Sequence, residues 1–600
     1  MEKARPDLYL ISMKLFKNIK QWLDNQEHLF YLFLVILIAP NIILCFTEPM
    51  PVVAKVCNVL LPFAFYYLLM TLSRNCGKMF WLLFPFIFFG AFQIVLLYLF
   101  GQSIIAVDMF LNLVTTNSSE AMELLDNLIP ALISVVILYI PALILAAISI
   151  IKKRKLSPVF IRRERKRAFA ALAIGFISLG AAYGLDARYE LKSDLYPANV
   201  CYNVLLAFQR NAQTRTYHQT SEDFTFKARP SHPADRREVY IMVVGETSRA
   251  MNWSLYGYDR ETNPRLSNMD GIISFCHVLT ESNTTHKSVP MLLSPVSACN
   301  FDSIYYQKSI ITAFKEAGFQ TAFFSNQRYN HSFIDFFGME ADTYDFIKED
   351  SKDSNYNPSD DELLKLVEKE LAKENRKQFI VLHTYGSHFN YRERYPENHA
   401  FFLPDFPVDA EVRYKDNLVN AYNNSIRYTD DFLARIIHLL KEQETDATLL
   451  YTSDHGEDIF DDNRHLFLHA SPVPSYYQLH VPFLLWTSDS YQAAYPAIRK
   501  AALMNRQKNI SSSVSFFQTM MELAGIETPY RNDSLSVASP LYTEKPRVYL
   551  NDHNEPRPLD DIGMRKEDFE MLRKKEIDFK YPSPDSSRKE YTSSEQPSAQ

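Results

Sequence analysis

Chemistry in this chain concentrates in three short segments that lie far apart in sequence. Glu246 stands directly after an apolar run, in Val243-Val244-Gly245-Glu246-Thr247-Ser248. Asp454 and His455 follow a second apolar run, Thr448 to Ser453, and precede Gly456. Open α/β sheets bind ligands at the carboxyl ends of their strands, so both positions suit a metal. Carboxylate oxygens with an imidazole nitrogen form a donor set for zinc, and glycine lets the backbone turn so that adjacent side chains reach one ion. Two strand ends would then supply three ligands and leave a position open. A hydroxyl from Asn283-Thr284-Thr285-His286-Lys287-Ser288-Val289-Pro290 could fill it. Contact with a divalent cation lowers the pKa of a threonine hydroxyl and makes Thr285 a nucleophile toward phosphorus. Taken singly, each segment has a plainer explanation, because an acid or threonine at such a place is often a helix N-cap.

Two histidine segments add to the set. His383-Thr384-Tyr385-Gly386-Ser387-His388 follows another apolar run, and His465-Leu466-Phe467-Leu468-His469 comes shortly after the Asp-His pair. One histidine alone is more often structural, but several together suit a phosphate or a second metal.

The elements that must position these residues read as alternating strands and helices. Val239 to Gly245, Gln320 to Ser325, Gln378 to Thr384, Thr448 to Ser453 and Pro482 to Trp486 suit buried strands. Glu362 to Ala372, Arg413 to Lys441 and Ser512 to Ala524 suit helices. The alternation predicts an α/β domain on a mostly parallel sheet over residues 238–550. Residues 188–237 read as a polar, Tyr-rich connector along the membrane surface, and residues 551–600 as a largely disordered tail rich in Ser, Pro and charge.

At 600 residues the chain exceeds one hydrophobic core. Its net charge of -7 conceals a division, since residues 1–187 hold the long apolar runs. Crossing a hydrocarbon core takes about 20 apolar residues as helix. Five runs qualify: His28 to Phe46, Val52 to Leu72, Met79 to Phe100, Leu128 to Ile151 and Ala168 to Asp186. Lysines and arginines in the leader, and again from Lys152 to Arg167, mark the cytoplasmic side. The stretch from Gln102 to Asn127 lacks both and carries Asp108, Glu120, Glu123 and Asp126, so it belongs outside. An odd number of spans then carries everything after Asp186 outward. Of six cysteines, Cys276 and Cys299 are the expected pair, because the outer side permits disulfides.

With these residues in view, the chain resembles the phosphoethanolamine transferases of the alkaline phosphatase superfamily, a group that includes lipid A modifying enzymes linked to polymyxin resistance. The resemblance rests on Gly245-Glu246-Thr247-Ser248-Arg249, Tyr256-Gly257-Tyr258, Thr262-Asn263-Pro264, and Thr285 with Ser288-Val289-Pro290. It implies a five-helix transmembrane domain followed by an alkaline-phosphatase/sulfatase-like α/β sandwich domain. It also implies that Glu246, Thr285, Asp454 and His455 ligate one Zn2+, with a second ion as an option, and that Thr285 accepts the phosphoethanolamine group. His388 and His469 match two further active-site histidines. Asn112, Thr116 and Glu120 match a pattern that binds the ethanolamine end of the donor, and their spacing places them on one helical face. Where the family has a serine and a lysine, this chain has Asn326 to His331, which leaves Arg328 or His331 as the phosphate-contacting cation. Glu281 and Met291 stand near positions where family members often carry cysteines.

The implied reaction moves phosphoethanolamine from phosphatidylethanolamine to a lipid A phosphate or a core or surface glycan, through a phosphothreonine. The implied location is the bacterial inner membrane, with the catalytic domain in the periplasm and neither nucleic acid nor an obligate protein as partner. The nearest rival is a phosphoglycerol transferase of the same superfamily, against which Glu120 favours a cationic head group. A sulfatase would need a Cys-x-Pro-x-Arg or Ser-x-Pro-x-Arg run, and the sequence has neither. A membrane sensor or transporter with a degenerate outer domain fits less well with intact ligand candidates at three places.

Overall fold

Long apolar runs become helices and short ones become strands, and the two kinds segregate along the chain. A computed structural model describes residues 21–48, 50–100, 105–110, 128–186, 189–349, 356–373 and 375–580. Asn112, Thr116 and Glu120 lie outside the described residues. The chain divides into two compact units, residues 1–212 with 409–412 and 459–472, and residues 213–408 with 413–458 and 473–600.

In the first unit, α1 (Gln26–Thr47), α2 (Val52–Met70), α3 (Cys76–Leu82), α4 (Phe84–Phe100), α5 (Ile129–Ile151) and α6 (Pro158–Leu185) carry the apolar runs. Four of them are long and apolar enough to cross a membrane, and α3 with α4 make a fifth span if their 61° bend is counted within one crossing. The expected third span is therefore a broken one. The expected fifth span starts earlier than its apolar run: Ser157 caps the helix by accepting from the Phe160 amide, and Pro158 occupies its first turn. Residues 162–167 are thus helical. Their charge is partly neutralised by buried Glu164, which pairs with Arg163 at 2.6 Å and Arg167 at 3.0 Å.

The expected connector contains α7 (Ala198–Arg215). Its inner face packs Val200 and Ala207 with Leu96, Leu97 and Val107, so all but its last three residues group with the first unit and the division falls at 212.

The second unit is built on a seven-stranded sheet of β1 (Glu238–Gly245), β2 (Ile273–Ser274), β3 (Gln320–Ser325), β4 (Thr343–Phe346), β5 (Lys377–His383), β6 (Asp446–Ser453) and β7 (Phe483–Thr487). Their order is β2-β7-β6-β1-β5-β3-β4. The run from β6 to β4 is parallel, and β7 is antiparallel to both of its neighbours. Every residue of central β1 is buried, as continuous apolar sequence requires of a parallel strand covered on both faces. Tyr240, Met242 and Val244 share a core with Val289 and Leu292 of α8 (Thr285–Leu292), and Asn417, Asn420 and Asn424 lie along α9 (Lys415–Glu442). Phe516, Phe517 and Met520 of α10 (Ser512–Leu523) complete that core.

Two expectations need correction. Residues 551–580 are ordered: β8 (Val548–Leu550) pairs with β9 (Pro556–Pro558), and α11 (Lys566–Lys574) follows. Charge dominates that composition, yet the apolar residues recur at helical spacing, and Leu572 and Met564 bury against Leu479 and Tyr549. Cys276 and Cys299 are both free thiols. The backbone of Cys276 is bound to the Arg506 carbonyl at 3.0 Å, whereas Cys299 lies in the exposed first turn of a separate short helix, Ala298–Tyr305.

Leu572→Ala should cost about 2–5 kcal/mol by leaving a cavity beneath α11. Exposed Glu570→Ala on the same helix should change stability by less than about 0.5 kcal/mol. Melting of the detergent-solubilised protein separates the two, and equal effects would contradict a packed α11.

Candidate metal and nucleophile site

The register of three neighbouring strands brings the ligand candidates together. Val244 of β1 pairs with His383 of β5 on one side and Thr452 of β6 on the other, so all three carboxyl ends come level. The bonds continue one step further, with the Thr384 amide on the Val244 carbonyl and the Asp454 amide on the Gly245 carbonyl, each at 3.0 Å. Glu246, Asp454 and His455 emerge there fully buried, with one ligand atom from each lying within 4.8 Å of the others. His455 Nε2 is 3.4 Å from Glu246 Oε1 and 3.2 Å from Asp454 Oδ2. His455 Nδ1 donates to the Gly456 carbonyl at 2.9 Å, which leaves the Nε2 lone pair facing the carboxylates.

Thr285 is the first residue of α8, and its hydroxyl reaches the same point. Oγ1 donates to Glu246 Oε1 at 3.2 Å and lies 3.1 Å from His455 Nε2. It remains partly exposed while the other three are buried, which is the arrangement a nucleophile needs to meet a substrate. The start of the helix also directs the positive end of its dipole toward any phosphoryl group placed there.

Burial of two carboxylates side by side is costly unless a cation offsets it. Burial pushes the Asp454 carboxyl above its usual range. Burial opposes charge on His455 as well, but the adjacent Asp454 and Glu246 carboxylates prevail and raise its pKa. A divalent cation fits this set of two carboxylates, one imidazole and one hydroxyl, because it supplies the missing charge to donors of the type zinc accepts.

The loops that carry the ligands are under strain and held from outside. Thr247 has φ 59°, in the left-handed region that a β-branched residue avoids, at a cost of about 1–3 kcal/mol. Three bonds oppose that cost: its amide donates to Asp454 Oδ1 at 3.1 Å, its hydroxyl to Glu246 Oε1 at 2.8 Å, and its carbonyl accepts from Tyr422 at 2.7 Å. Arg249 lies between the rings of Tyr422 and Tyr477 and donates to the Glu457 carbonyl at 2.8 Å, tying the first ligand loop to the second. Burial pushes the Glu457 carboxyl up to about 8, and Tyr391 donates to it at 2.7 Å. Two glycines permit the close approach of these loops. A Cβ on Gly386 would stand 2.7 Å from the Glu246 carbonyl oxygen, and one on Gly456 would stand 2.1 Å from that of Tyr477.

The Thr285 segment is braced from β8 and the residue that follows it. The Leu550 amide donates to the Glu281 carbonyl at 2.8 Å, Tyr549 donates to Asn283 Oδ1 at 2.7 Å, and Lys287 donates to the Asn551 carbonyl at 2.9 Å. The Glu281 carboxylate accepts from the Ala298 amide at 2.7 Å and from Ser511 at 3.0 Å. Hydrogen bonds thus hold both flanks of Thr285.

The remaining candidates have separate surroundings. His388 stacks on Tyr385 at 5.0 Å, and the amide of the preceding Ser387 donates to the Glu246 carbonyl at 3.0 Å. His383 is fully buried against Ser325, and burial lowers its pKa to about 3, so it is a neutral core residue. Arg328 donates to the Lys348 carbonyl at 3.2 Å, while His331 is exposed and edges Tyr329. His469 falls in the 459–472 segment, which groups with the first unit.

From the loop after β3, Gln327 is the residue that touches the ligand set, donating to Glu246 Oε2 at 2.9 Å and to the Thr384 carbonyl at 3.1 Å. Sequence reasoning passed over it in favour of charged neighbours. Its signal was position, two residues beyond a strand end. Gln327→Ala should weaken zinc binding about 10- to 100-fold in chelator competition, the usual loss when a partner that orients a ligand is removed. Unchanged affinity would show that this bond does not orient Glu246.

Residues 238–526 match the sulfatase family. The phosphoethanolamine transferase EptA of Escherichia coli strain K12 is 31% identical over 303 residues, which cover 49% of this chain and 54% of that protein. The match therefore spans about half the length of that relative. EptC of the same strain, also named a phosphoethanolamine transferase, is 25% identical over 486 residues, or 77% of this chain and 81% of the relative. Among solved structures, the zinc complex of the periplasmic domain of E. coli EptC superposes with a TM-score of 0.51 at 25% identity, covering 56% of this chain and 96% of that one. The integral membrane phosphoethanolamine transferase EptA of Neisseria meningitidis superposes with a TM-score of 0.67 at 21% identity, covering 84% and 98%, and shares the fold of apolar N-terminal helices with a C-terminal α/β domain. Behind a set of membrane-type helices, residues 238–526 thus match the sulfatase family, and the two relatives compared by sequence are named phosphoethanolamine transferases.

Proposed function

We propose that the protein is a zinc-dependent phosphoethanolamine transferase of the bacterial inner membrane, working on the periplasmic side. The observation that carries this reading is the Thr285 hydroxyl, 3.2 Å from Glu246 and 3.1 Å from His455, at the partly exposed edge of an otherwise buried ligand set. The names of the relatives support the transferred group, and the membrane-type helices support a lipid donor, phosphatidylethanolamine.

Glu246, Asp454, His455 and Thr285 would hold the metal. A zinc ion bound there supplies Lewis acidity, lowering the pKa of the threonine hydroxyl and neutralising charge on the phosphoryl oxygens. In the first step Thr285 Oγ attacks phosphorus, an O–P bond forms, and the bond to the diacylglycerol oxygen breaks. The threonine proton is given up and the departing alkoxide gains one, so diacylglycerol leaves as an alcohol. In the second step an acceptor oxygen, from a lipid A phosphate or a surface glycan, attacks the phosphothreonine and returns Thr285 to its hydroxyl form. His388 and His469 would contact the phosphoryl oxygens or carry those protons, with Arg328 or His331 as a further cation. Asn112, Thr116 and Glu120 would bind the ethanolamine ammonium. Keeping donor and acceptor in one leaflet replaces a search in solution with a local encounter.

Thr285→Ala should reduce transfer by at least about 10³-fold, because the residue that forms the covalent intermediate is lost. Mass spectrometry of surface lipids and glycans from cells with and without the protein is the direct assay. A gain of one phosphoethanolamine unit on one species, absent in the Thr285→Ala strain, is the expected result, and no change on any species would overturn the reading.

Removing the metal with a chelator should also lower the melting temperature, since a ligand present at about 100 times its Kd stabilises the folded state by about 2.7 kcal/mol. Re-addition of zinc should restore both melting and activity. A protein that keeps full activity after exhaustive chelation would exclude metal dependence.

A further inference from the structure

The segment between Phe401 and Phe406 shows its large apolar side chains to solvent. Phe401 is 57% exposed, Leu403 67% and Phe406 70%. Three such residues within six are unusual on a surface that meets only water, and clusters of this kind mark contact sites.

The segment is held firmly. Asn417 donates to the Pro407 carbonyl at 3.1 Å, and Asn420 to the Pro404 carbonyl at 2.8 Å. Asn424 accepts from the Phe401 and Phe402 amides at 3.0 and 2.8 Å and donates to the Phe402 carbonyl at 3.0 Å. These asparagines are spaced three and four residues apart, so one face of α9 grips the loop backbone while its side chains point away. Asp405 is buried and anchored by Tyr395 at 2.7 Å and Arg392 at 3.1 Å. The apolar side chains are therefore presented by a fixed backbone.

Two features identify what covers them. The chain itself carries helices long and apolar enough to cross a membrane, so a bilayer is a surface it meets. Behind the aromatic rings stand guanidinium groups, Arg427 at 4.0 Å from the Phe401 ring centre and Arg260 at 5.2 Å from that of Phe402. An apolar tip backed by cations matches the outer edge of a phospholipid leaflet, with acyl chains below and phosphates above. We propose that the 401–406 segment inserts into the bilayer surface, with Phe401, Leu403 and Phe406 beneath the head groups and Arg260 and Arg427 at their level. It would act as a second point of attachment for the α/β unit, independent of the apolar N-terminal helices and of the transfer reaction itself.

The test places a nitroxide at Leu403→Cys in the full-length chain, with exposed Cys201 and Cys299 changed to serine, in nanodiscs of phosphatidylethanolamine and phosphatidylglycerol. Molecular oxygen concentrates in acyl chains and a charged nickel chelate in water, so relaxation by oxygen should exceed relaxation by nickel at 403. The order should reverse at exposed Asp416→Cys. Nickel access at 403 equal to that at 416 would overturn the proposal, as would exclusion of both relaxants, which signals a covering protein. In a second measurement, the combined Phe401→Ser, Leu403→Ser and Phe406→Ser variant should turn over bilayer-embedded fluorescent phosphatidylethanolamine several times more slowly than the parent. Its melting temperature should fall by no more than a few degrees, because the loss is confined to the Arg427 contact on the Phe401 ring and the largely exposed Leu403 and Phe406. Should the parent turn over no such lipid, the proposed transfer fails while the nitroxide depths still decide the membrane contact.

Discussion

Two carboxylates and an imidazole brought together in the interior of an α/β unit constitute the constraint on which the rest of the structure depends. Glu246, Asp454 and His455 are each at most 1% exposed, and charges so placed are stable only with a compensating cation. Mutual repulsion and lost hydration would push the two strand ends apart. Much of the surrounding architecture can be understood as opposition to that tendency. Central β1 is bonded on both sides along its whole length, and its register with β5 and β6 leaves little freedom at the ends.

Beyond the strand ends, hydrogen bonds take over from the sheet. The left-handed Thr247 is an unfavourable conformation retained because it turns its amide to Asp454 and its hydroxyl to Glu246. Arg249 and Gln327 reach the two ligand loops from different directions, one through the Glu457 carbonyl and one through Glu246 itself. The Thr285 hydroxyl is positioned by a different part of the chain, since bonds from residues 549–551 meet residues 281, 283 and 287 on either side of it. The Glu246, Asp454 and His455 side chains and the Thr285 hydroxyl are thus held by separate sets of bonds, so one can move without loosening the other.

Much of this was legible in the sequence. Continuous apolar runs followed at once by Glu246 or by the Asp454-His455 pair located both strand ends, since a strand buried on two faces must be apolar throughout and its first polar residue marks where it leaves the sheet. The long apolar helices were equally plain, because their length is set by bilayer thickness rather than by neighbours. Less was visible where tertiary packing overrides composition. The region after 550 looked disordered by charge content, but a few apolar residues on one side of α11 found a buried partner surface. The Lys152 to Arg167 stretch falls between two expected spans, but Ser157 and Pro158 start a helix within it.

By itself, the sequence determined which residue types stand at the ends of which strands, and so which carboxylates, imidazoles and hydroxyls were available for a site. Local order fixes these, through side-chain periodicity and the change from apolar to polar residues. Only the tertiary structure decided that Thr285 meets Glu246 and His455, that Gln327 rather than a charged neighbour supports the carboxylate, and that Cys276 and Cys299 stay apart. Those outcomes depend on strand order, register and the close approach of loops at Gly386 and Gly456, which are set by contacts between residues separated by tens to hundreds of positions, and no local pattern encodes them.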